Sequence, residues 1–206
     1  MRGWLRFHNV EVYLSGIVTG LAIIMAIGAQ NAYILRQGIR REHIGAIIAV
    51  CLVSDVLLIS AGTAGFGVLV ERLPWLVDVM KWGGIGYLVW FAITSFRSAA
   101  KQESVNLSGD GKTLRTAVVT TLSLTFLNPQ AYLDTIVLLG AVANQHGAER
   151  WDFAGGAMTA SVIWFLGFGL GARALARPLN RASVWRSIDI GVGVIMLAIA
   201  GKLLFV

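Results

Sequence analysis

The sequence predicts an all-α, polytopic membrane protein with six transmembrane helices arranged as two inverted three-helix repeats. Three observations lead to this fold class. The 206 residues are 56% hydrophobic and only 14% charged, whereas a soluble domain carries about 25% charged residues. The apolar residues are gathered in six long runs. Short motifs of the first half of the chain also recur, in the same order, in the second half.

The six apolar runs predict the transmembrane helices, because about 20 helical residues cross the ~30 Å hydrocarbon core of a bilayer. The runs are 12–35, 44–70, 79–96, 116–143, 153–172 and 188–206. The first run is longer than the apolar core of a signal peptide, so we expect it to remain in the protein. No polar stretch is long enough for a separate domain. Residues 1–206 are therefore interpreted as a single membrane-embedded domain.

Basic residues predict the orientation, because short cytoplasmic loops carry an excess of Lys and Arg. Loops 36–43, 97–115 and 173–186 hold eleven of these residues, and the other side holds six. We therefore expect these three loops in the cytoplasm and both termini outside it. The net charge of +6 is explained by this orientation, and we expect no nucleic-acid partner.

Internal similarity predicts the two repeats. "QNAYIL" at 30–35 parallels "PQAYLD" at 129–134, "AGFGVL" at 64–69 parallels "LGFGLG" at 166–171, and "GIGYL" at 84–88 parallels "GVGVI" at 191–195. Repeat one is assigned to 12–96, the linker to 97–115 and repeat two to 116–206. Three spans per repeat invert the second repeat relative to the first. Secondary transporters with this plan bind substrate near the midplane, between the repeats.

Carboxylates inside apolar runs are the main candidates for a functional site. Asp55 lies about eleven residues into the second run, near the bilayer centre, and Asp134 lies further along the fourth. A carboxylate at the centre costs at least ~2.5 kcal/mol, so it needs a partner or a cation. A hydrogen bond to a neighbouring helix is the structural alternative for Asp55, and an N-cap is the alternative for Asp134. Asp189 is interpreted as an interfacial salt bridge with Arg186.

Two helix breaks are predicted beside these carboxylates. Pro129 lacks a backbone N–H and clashes with the preceding turn, and Gly28 supplies a flexible point at the matching place in the first run. Amide and hydroxyl side chains surround both breaks: Gln30, Asn31, Tyr33, Asn128, Gln130 and Tyr132. With Asp55 and Asp134 they predict a site for a cationic substrate. A packing kink without a substrate role is the alternative.

Several function classes are excluded. Cys51 is the only cysteine, so neither an intramolecular disulfide nor a pair of redox cysteines is available. No glycine-rich nucleotide loop and no nucleophile–base pair is visible. We therefore expect a protein that is not an enzyme and has no cofactor and no resident metal. A homo-oligomer is left open.

Three segments together carry a resemblance to a known family. "GAQNAYILRQGIRREH" at 28–43, "VSDVLLISAG" at 53–62 and "LNPQAYLDT" at 127–135 resemble the lysine/arginine exporter (LysE/ArgO) family. The resemblance implies secondary export of lysine, arginine or both from the cytoplasm across a bacterial inner membrane. The energy would come from the proton-motive force or the membrane potential.

The resemblance also implies roles for individual residues. Asp55 and Asp134 correspond to two intramembrane aspartates of the family. Gln130 stands where the family usually has a histidine, and glutamine cannot titrate. Export of neutral amino acids is one alternative, although those exporters typically carry a Pro-Gly-Pro motif where this chain has Gly-Ala-Gln-Asn. Export of a divalent cation is the other alternative.

Overall fold

The computed structural model describes residues 2–25, 28–67, 74–100, 113–174 and 182–204. Every regular element in these ranges is helical, which confirms the all-α class. The helices are α1 (Arg2–Ile24), α2 (Ala29–Arg40), α3 (Ile44–Thr63), α4 (Pro74–Ala100), α5 (Leu114–Phe126), α6 (Pro129–Tyr132), a π-helix (Leu133–Leu139), α7 (Gly140–Gln145), a 3-10 turn (Gly147–Glu149), α8 (Arg150–Ala174) and α9 (Ala182–Leu204). Residues 101–112 of the predicted linker lie outside the described ranges.

Length and composition identify the segments that could cross a membrane. The helix Ile44–Thr63 and the stretch Gly147–Ala174 each qualify alone. Two helix pairs with a short interruption qualify together: Asn9–Ile24 with Ala29–Arg40, and Leu114–Phe126 with Pro129–Gln145. The described residues thus contain two candidate spans, or four if each interrupted pair is one span. Six spans in two inverted repeats remain a prediction.

The chain folds into two compact units. Unit 1 comprises Met1–Ala26, Cys51–Asp78 and Pro129–Phe165, and unit 2 comprises Ile27–Val50, Val79–Asn128 and Leu166–Val206. The chain therefore changes unit at the interruption between α1 and α2, and again at the interruption between α5 and α6. Each unit contains segments of both predicted repeats.

Small residues bring α1 and the first part of α8 into backbone contact within unit 1. A Cβ atom on Gly20 would lie 3.0 Å from the Cα of Ala157, and one on Gly16 would meet the carbonyl oxygen of Phe153. Such close approach is typical of small residues between membrane helices. The apolar core beside this contact contains Val12, Ile59, Leu139, Ala143, Phe153, Ala154 and Ala157.

Unit 2 is built around α2, which packs against α5 and α9. Gly38 on α2 faces Ala172 of α8, where an added Cβ would lie 2.6 Å from the alanine Cβ. Gly193 on α9 makes a similar approach to the ring of Phe96. The largest buried side chains of this unit include Tyr33, Ile34, Ile47 and Met196. The buried face of α2 is thus part of the unit's core.

Local sequence signals explain where the helices beside the interruptions begin and end. Thr113 caps α5 by accepting a hydrogen bond from the N–H of Thr116 at 3.2 Å. This helix ends at Phe126. The ring of Pro129 disfavours helical backbone at the residue before it, Asn128, so the helix does not continue through this segment. Gly28 precedes α2 in an extended conformation (φ −122°, ψ 175°).

Candidate functional site

Asp55 lies on α3, in the part of the helix that belongs to unit 1. The residue is half-buried, and its Oδ2 accepts a hydrogen bond of 2.6 Å from the hydroxyl of Ser161 on α8. Ser161 is itself buried, at 1% exposure. Among the residues that the structure describes, no basic side chain pairs with Asp55. The hydrogen bond therefore orients this carboxylate without neutralising its charge.

Asp134 is the second residue of the π-helix, which follows α6 directly in unit 1. The amide nitrogen Nε2 of Gln130, four residues earlier, donates a hydrogen bond of 2.7 Å to Oδ1 of Asp134. A π-helix bonds each N–H to the carbonyl five residues earlier and is frequently found at functional sites. The second carboxylate thus also lies beside a neutral donor, at a place where the helix departs from regular α geometry.

Backbone contacts hold the π-helix against α3. A Cβ atom on Gly62 would lie 2.8 Å from the carbonyl oxygen of Ile136 and 2.9 Å from that of Thr135. The side-chain nitrogen of Asn144 donates to the carbonyl oxygens of Gly62 at 3.2 Å and Gly140 at 2.7 Å. The helix that carries the first aspartate is therefore in direct contact with the segment that carries the second.

A buried ion pair occupies unit 2. The Nε atom of Arg36 on α2 lies 3.0 Å from Oδ1 of Asp189 on α9. Its Nη1 atom donates to the hydroxyl of Ser95 on α4 at 3.3 Å. The two charged residues are 5% and 4% exposed. This pair joins three helices of the unit.

The predicted interfacial salt bridge between Asp189 and Arg186 is wrong. The helix α2 continues to Arg40, so Arg36 lies on a buried helix and not in the predicted loop 36–43. The helix α9 begins at Ala182, six residues before the predicted run, so Asp189 lies about two turns inside it. Both extensions bring the charges into the interior of the unit, while Arg186 is exposed.

Comparison with known proteins gives the family. The profile described as LysE type translocator matches residues 21–206. The chain belongs to the LysE family. A protein named lysine exporter LysE from Corynebacterium efficiens is 38% identical over 225 residues, which cover 95% of this chain and 99% of the relative. A protein of the same name from Corynebacterium glutamicum is 38% identical over 230 residues, with the same coverage.

An arginine exporter is equally similar. The arginine exporter protein ArgO of Klebsiella pneumoniae is 40% identical over 197 residues, covering 93% of this chain and 92% of the relative. No solved structure matches the chain significantly. As a member of a translocator family, the protein is a transporter and not an enzyme. The family and the apolar helices together indicate a bacterial membrane protein.

The structure distributes the predicted site residues of this LysE-family chain over both units. Unit 1 contains Asp55, Pro129, Gln130, Tyr132 and Asp134, and unit 2 contains Gly28, Gln30, Asn31, Tyr33 and Asn128. Within unit 1, Gln130 and Asp134 are in direct contact. Within unit 2, Tyr33 is fully buried and its ring packs edge-on against Phe91, with centroids 5.9 Å apart.

Sequence reasoning missed two features of the site. Ser161 is one of two hydroxyl residues in its apolar run, and its sequence context resembles that of a serine in helix packing. Arg36 was counted as a loop charge, although it follows Tyr33 by three residues and thus shares a helix face with it. That spacing was the available signal for a buried arginine.

Proposed function

We propose that this LysE-family transporter is a secondary exporter of basic L-amino acids, lysine or arginine or both, from the bacterial cytoplasm across the inner membrane. One observation carries the proposal. Asp55, on a helix apolar enough to span a membrane, has the neutral Ser161 as its hydrogen-bond partner and no basic partner among the described residues. An intramembrane carboxylate normally requires a compensating cation. A cationic side chain of the substrate would supply this cation.

The relatives agree with a cationic substrate, because their names are lysine exporter and arginine exporter. A neutral amino acid would leave Asp55 uncompensated during transport. A divalent cation usually takes six or more oxygen ligands, whereas two aspartates supply few. Export of neutral amino acids or of divalent cations is therefore the less favoured function, and the experiment below includes both.

The interrupted helices support substrate binding near the predicted breaks. Backbone groups freed by a break in a membrane helix are tolerated where they line protein or a water-filled cavity. At the first interruption the chain passes from unit 1 to unit 2, and at the second it passes from unit 2 to unit 1. We propose six spans, with both termini outside the cytoplasm and the repeats at 12–96 and 116–206.

Proton entry would provide the driving force. Moving one positive charge outward against 100 mV costs about 2.3 kcal/mol, so export needs an opposing ion flux or a steep substrate gradient. Burial favours the neutral form of a carboxyl group, and a nearby cation favours the ionised form. Substrate binding would therefore release a proton from Asp55 or Asp134 to the cytoplasm. Substrate release outside would allow the carboxylate to take up an external proton.

A substrate panel tests the function directly. Proteoliposomes are loaded with labelled lysine, arginine, threonine or manganese ion, and efflux is measured with and without an imposed proton gradient. We expect efflux of lysine, arginine or both, accelerated by an inward proton gradient. Selective efflux of threonine or of manganese would refute the proposal.

The two aspartates are tested by neutral substitutions. Asp55→Asn and Asp134→Asn keep the size and part of the hydrogen bonding of each side chain but remove its charge. We expect both variants to lose lysine and arginine export at normal membrane abundance. Asp78→Asn is the matched control, because Asp78 is exposed. If Asp55→Asn exports at the wild-type rate, this carboxylate has a structural role.

A further inference from the structure

The ion pair of Arg36 with Asp189 has features that packing alone does not require. Each charge is withdrawn from water, and a buried ion pair is often no more stabilising than apolar residues of similar volume. The two residues are 5% and 4% exposed, and the polar group of Ser95 is buried with them. Three helices of unit 2 thus place a guanidinium, a carboxylate and a hydroxyl group together in its interior.

A buried amide lies on the same face of α2. Tyr33, Arg36 and Gln37 are spaced three and four residues apart, so their side chains share one side of the helix. Gln37 is 1% exposed, and neither its Nε2 nor its Oε1 atom makes a hydrogen bond of acceptable geometry among the described residues. The side chain of Gln37 faces the hydroxyl group of Tyr33. Gln37 thus adds a buried amide, with donor and acceptor atoms, to the polar groups on this face of α2.

The chemistry of this cluster complements the head group of a free amino acid. An α-carboxylate matches a guanidinium, which binds carboxylates with two parallel N–H donors. An α-ammonium matches a carboxylate, and an amide such as that of Gln37 both donates and accepts hydrogen bonds. We propose that Arg36 binds the α-carboxylate of the exported amino acid and that Asp189 binds its α-ammonium group.

Charge remains compensated throughout this exchange. In the absence of substrate, the guanidinium and the carboxylate of the pair compensate each other at 3.0 Å. When a zwitterionic head group binds, Arg36 pairs with the carboxylate of the ligand and Asp189 pairs with its ammonium group. The cluster then contains two positive and two negative charges, so it stays neutral. This inference rests on the proposed function, and it identifies the part of the substrate that the ion pair recognises.

Two analogues of lysine separate the two contacts. The compound 1,5-diaminopentane lacks only the carboxylate of lysine, and 6-aminohexanoate lacks only the α-amino group. A site that hydrogen-bonds a substrate group rejects an analogue without that group, because its own polar groups are then left unpaired. We expect wild-type protein to prefer lysine to either analogue by at least about tenfold, a conservative value for this kind of recognition.

The experiment measures competition in proteoliposomes that contain the full-length protein. Labelled lysine is loaded together with increasing amounts of unlabelled lysine, 1,5-diaminopentane or 6-aminohexanoate, and the concentration that halves labelled efflux is recorded. In Arg36→Gln, the concentrations of lysine and 1,5-diaminopentane that halve labelled efflux should differ by no more than about threefold. The preference for lysine over 6-aminohexanoate should remain. Asp189→Asn should have the opposite effect, reducing only the preference over 6-aminohexanoate.

Two further variants keep the test decisive. Arg186→Gln removes an exposed charge on the same helix as Asp189, and we expect it to leave both preferences unchanged. If a single substitution prevents folding because it leaves one buried charge alone, Arg36→Gln with Asp189→Asn removes both charges together. This double variant should accumulate in the membrane and lose both preferences.

The outcomes separate this inference from the proposed function. Wild-type protein that transports no basic amino acid would refute the proposed function and this inference with it. Wild-type lysine export with both preferences unchanged in the double variant would overturn the inference alone. A uniform decrease in efflux with unchanged preferences would mean that the ion pair only stabilises unit 2, and this result would also overturn it.

Discussion

Alanine at Gly62 is expected to damage both stability and export, because this glycine holds α3 against the π-helix. An added Cβ would lie 2.8 Å from the carbonyl oxygen of Ile136, 2.9 Å from that of Thr135 and 3.0 Å from the Cα of Ile136. All three are backbone atoms, so no side-chain rotation relieves the contact. The π-helix carries Asp134, and the substitution therefore moves a candidate substrate-binding carboxylate away from α3.

The magnitude follows from two opposing effects. Inserting a methyl group into a packed interior costs about 1–3 kcal/mol, and the upper end applies here because the backbone must move. Alanine favours a helix over glycine by about 1 kcal/mol. A net loss of about 2 kcal/mol in the free energy of unfolding remains. For a chain of this length, we expect this loss to lower the melting temperature by about 4–8 °C.

The assay pairs thermal unfolding in detergent with lysine export normalised to membrane abundance. Gly45→Ala is the matched control, because Gly45 lies on the same helix and, apart from its own neighbouring turns, no described residue lies within 4 Å of its added Cβ. We expect this control to unfold at the wild-type temperature or slightly above it, and to export normally. If Gly62→Ala behaves like Gly45→Ala in both measurements, the close contact does not position the π-helix.

Three other substitutions or fusions give simpler outcomes. Pro129→Ala restores a backbone N–H and removes a ring clash that costs about 3 kcal/mol inside a helix. We expect a continuous helix and loss of export at normal abundance, whereas export at the wild-type rate would show that Pro129 only shapes packing. Ser161→Ala removes a hydrogen bond to a charged group, worth about 1.5–3 kcal/mol. The export rate of this variant should fall between those of wild type and Asp55→Asn, and an unchanged rate would show that Ser161 does not orient Asp55. A reporter active only outside the cytoplasm should be active when fused after Val206; activity confined to cytoplasmic reporters would overturn the proposed orientation.

Composition and hydropathy were sufficient to predict the helical class. Runs of apolar residues near 20 in length have few structural solutions in a membrane, because backbone polar groups must be satisfied within the segment. The predicted helix ends were less accurate where a charged residue was taken as the end of an apolar run. The sequence run ended at residue 35, whereas α2 extends to Arg40 because Arg36 is compensated by Asp189 inside unit 2. A long-range partner of this kind is invisible to local composition.

The π-helix shows a second limit of sequence reasoning. Leu133–Leu139 has the composition of an ordinary apolar helix. Its wider turn occurs where α3 approaches through Gly62, a residue about seventy positions earlier in the chain. Depth in an apolar run identified Asp55 and Asp134 as candidates, because a carboxylate far from the ends of a membrane helix is costly. Their hydrogen-bond donors depend on tertiary contacts and on local helix geometry.

The hydrogen-bond and ion-pair partners of Asp55, Asp134 and Asp189 distinguish their roles. Asp189 is paired with a guanidinium at 3.0 Å and is electrically compensated within the protein. Asp55 accepts a hydrogen bond from a serine hydroxyl, and Asp134 accepts one from a glutamine amide. At Asp55 a neutral donor stabilises the ionised carboxylate but leaves its charge available to a mobile cation. Asp55, with no basic partner among the described residues, is therefore the carboxylate on which the proposed coupling of export to proton entry depends. The pair in unit 2 is suited to a ligand that carries both charges, and a free amino acid presents such a head group.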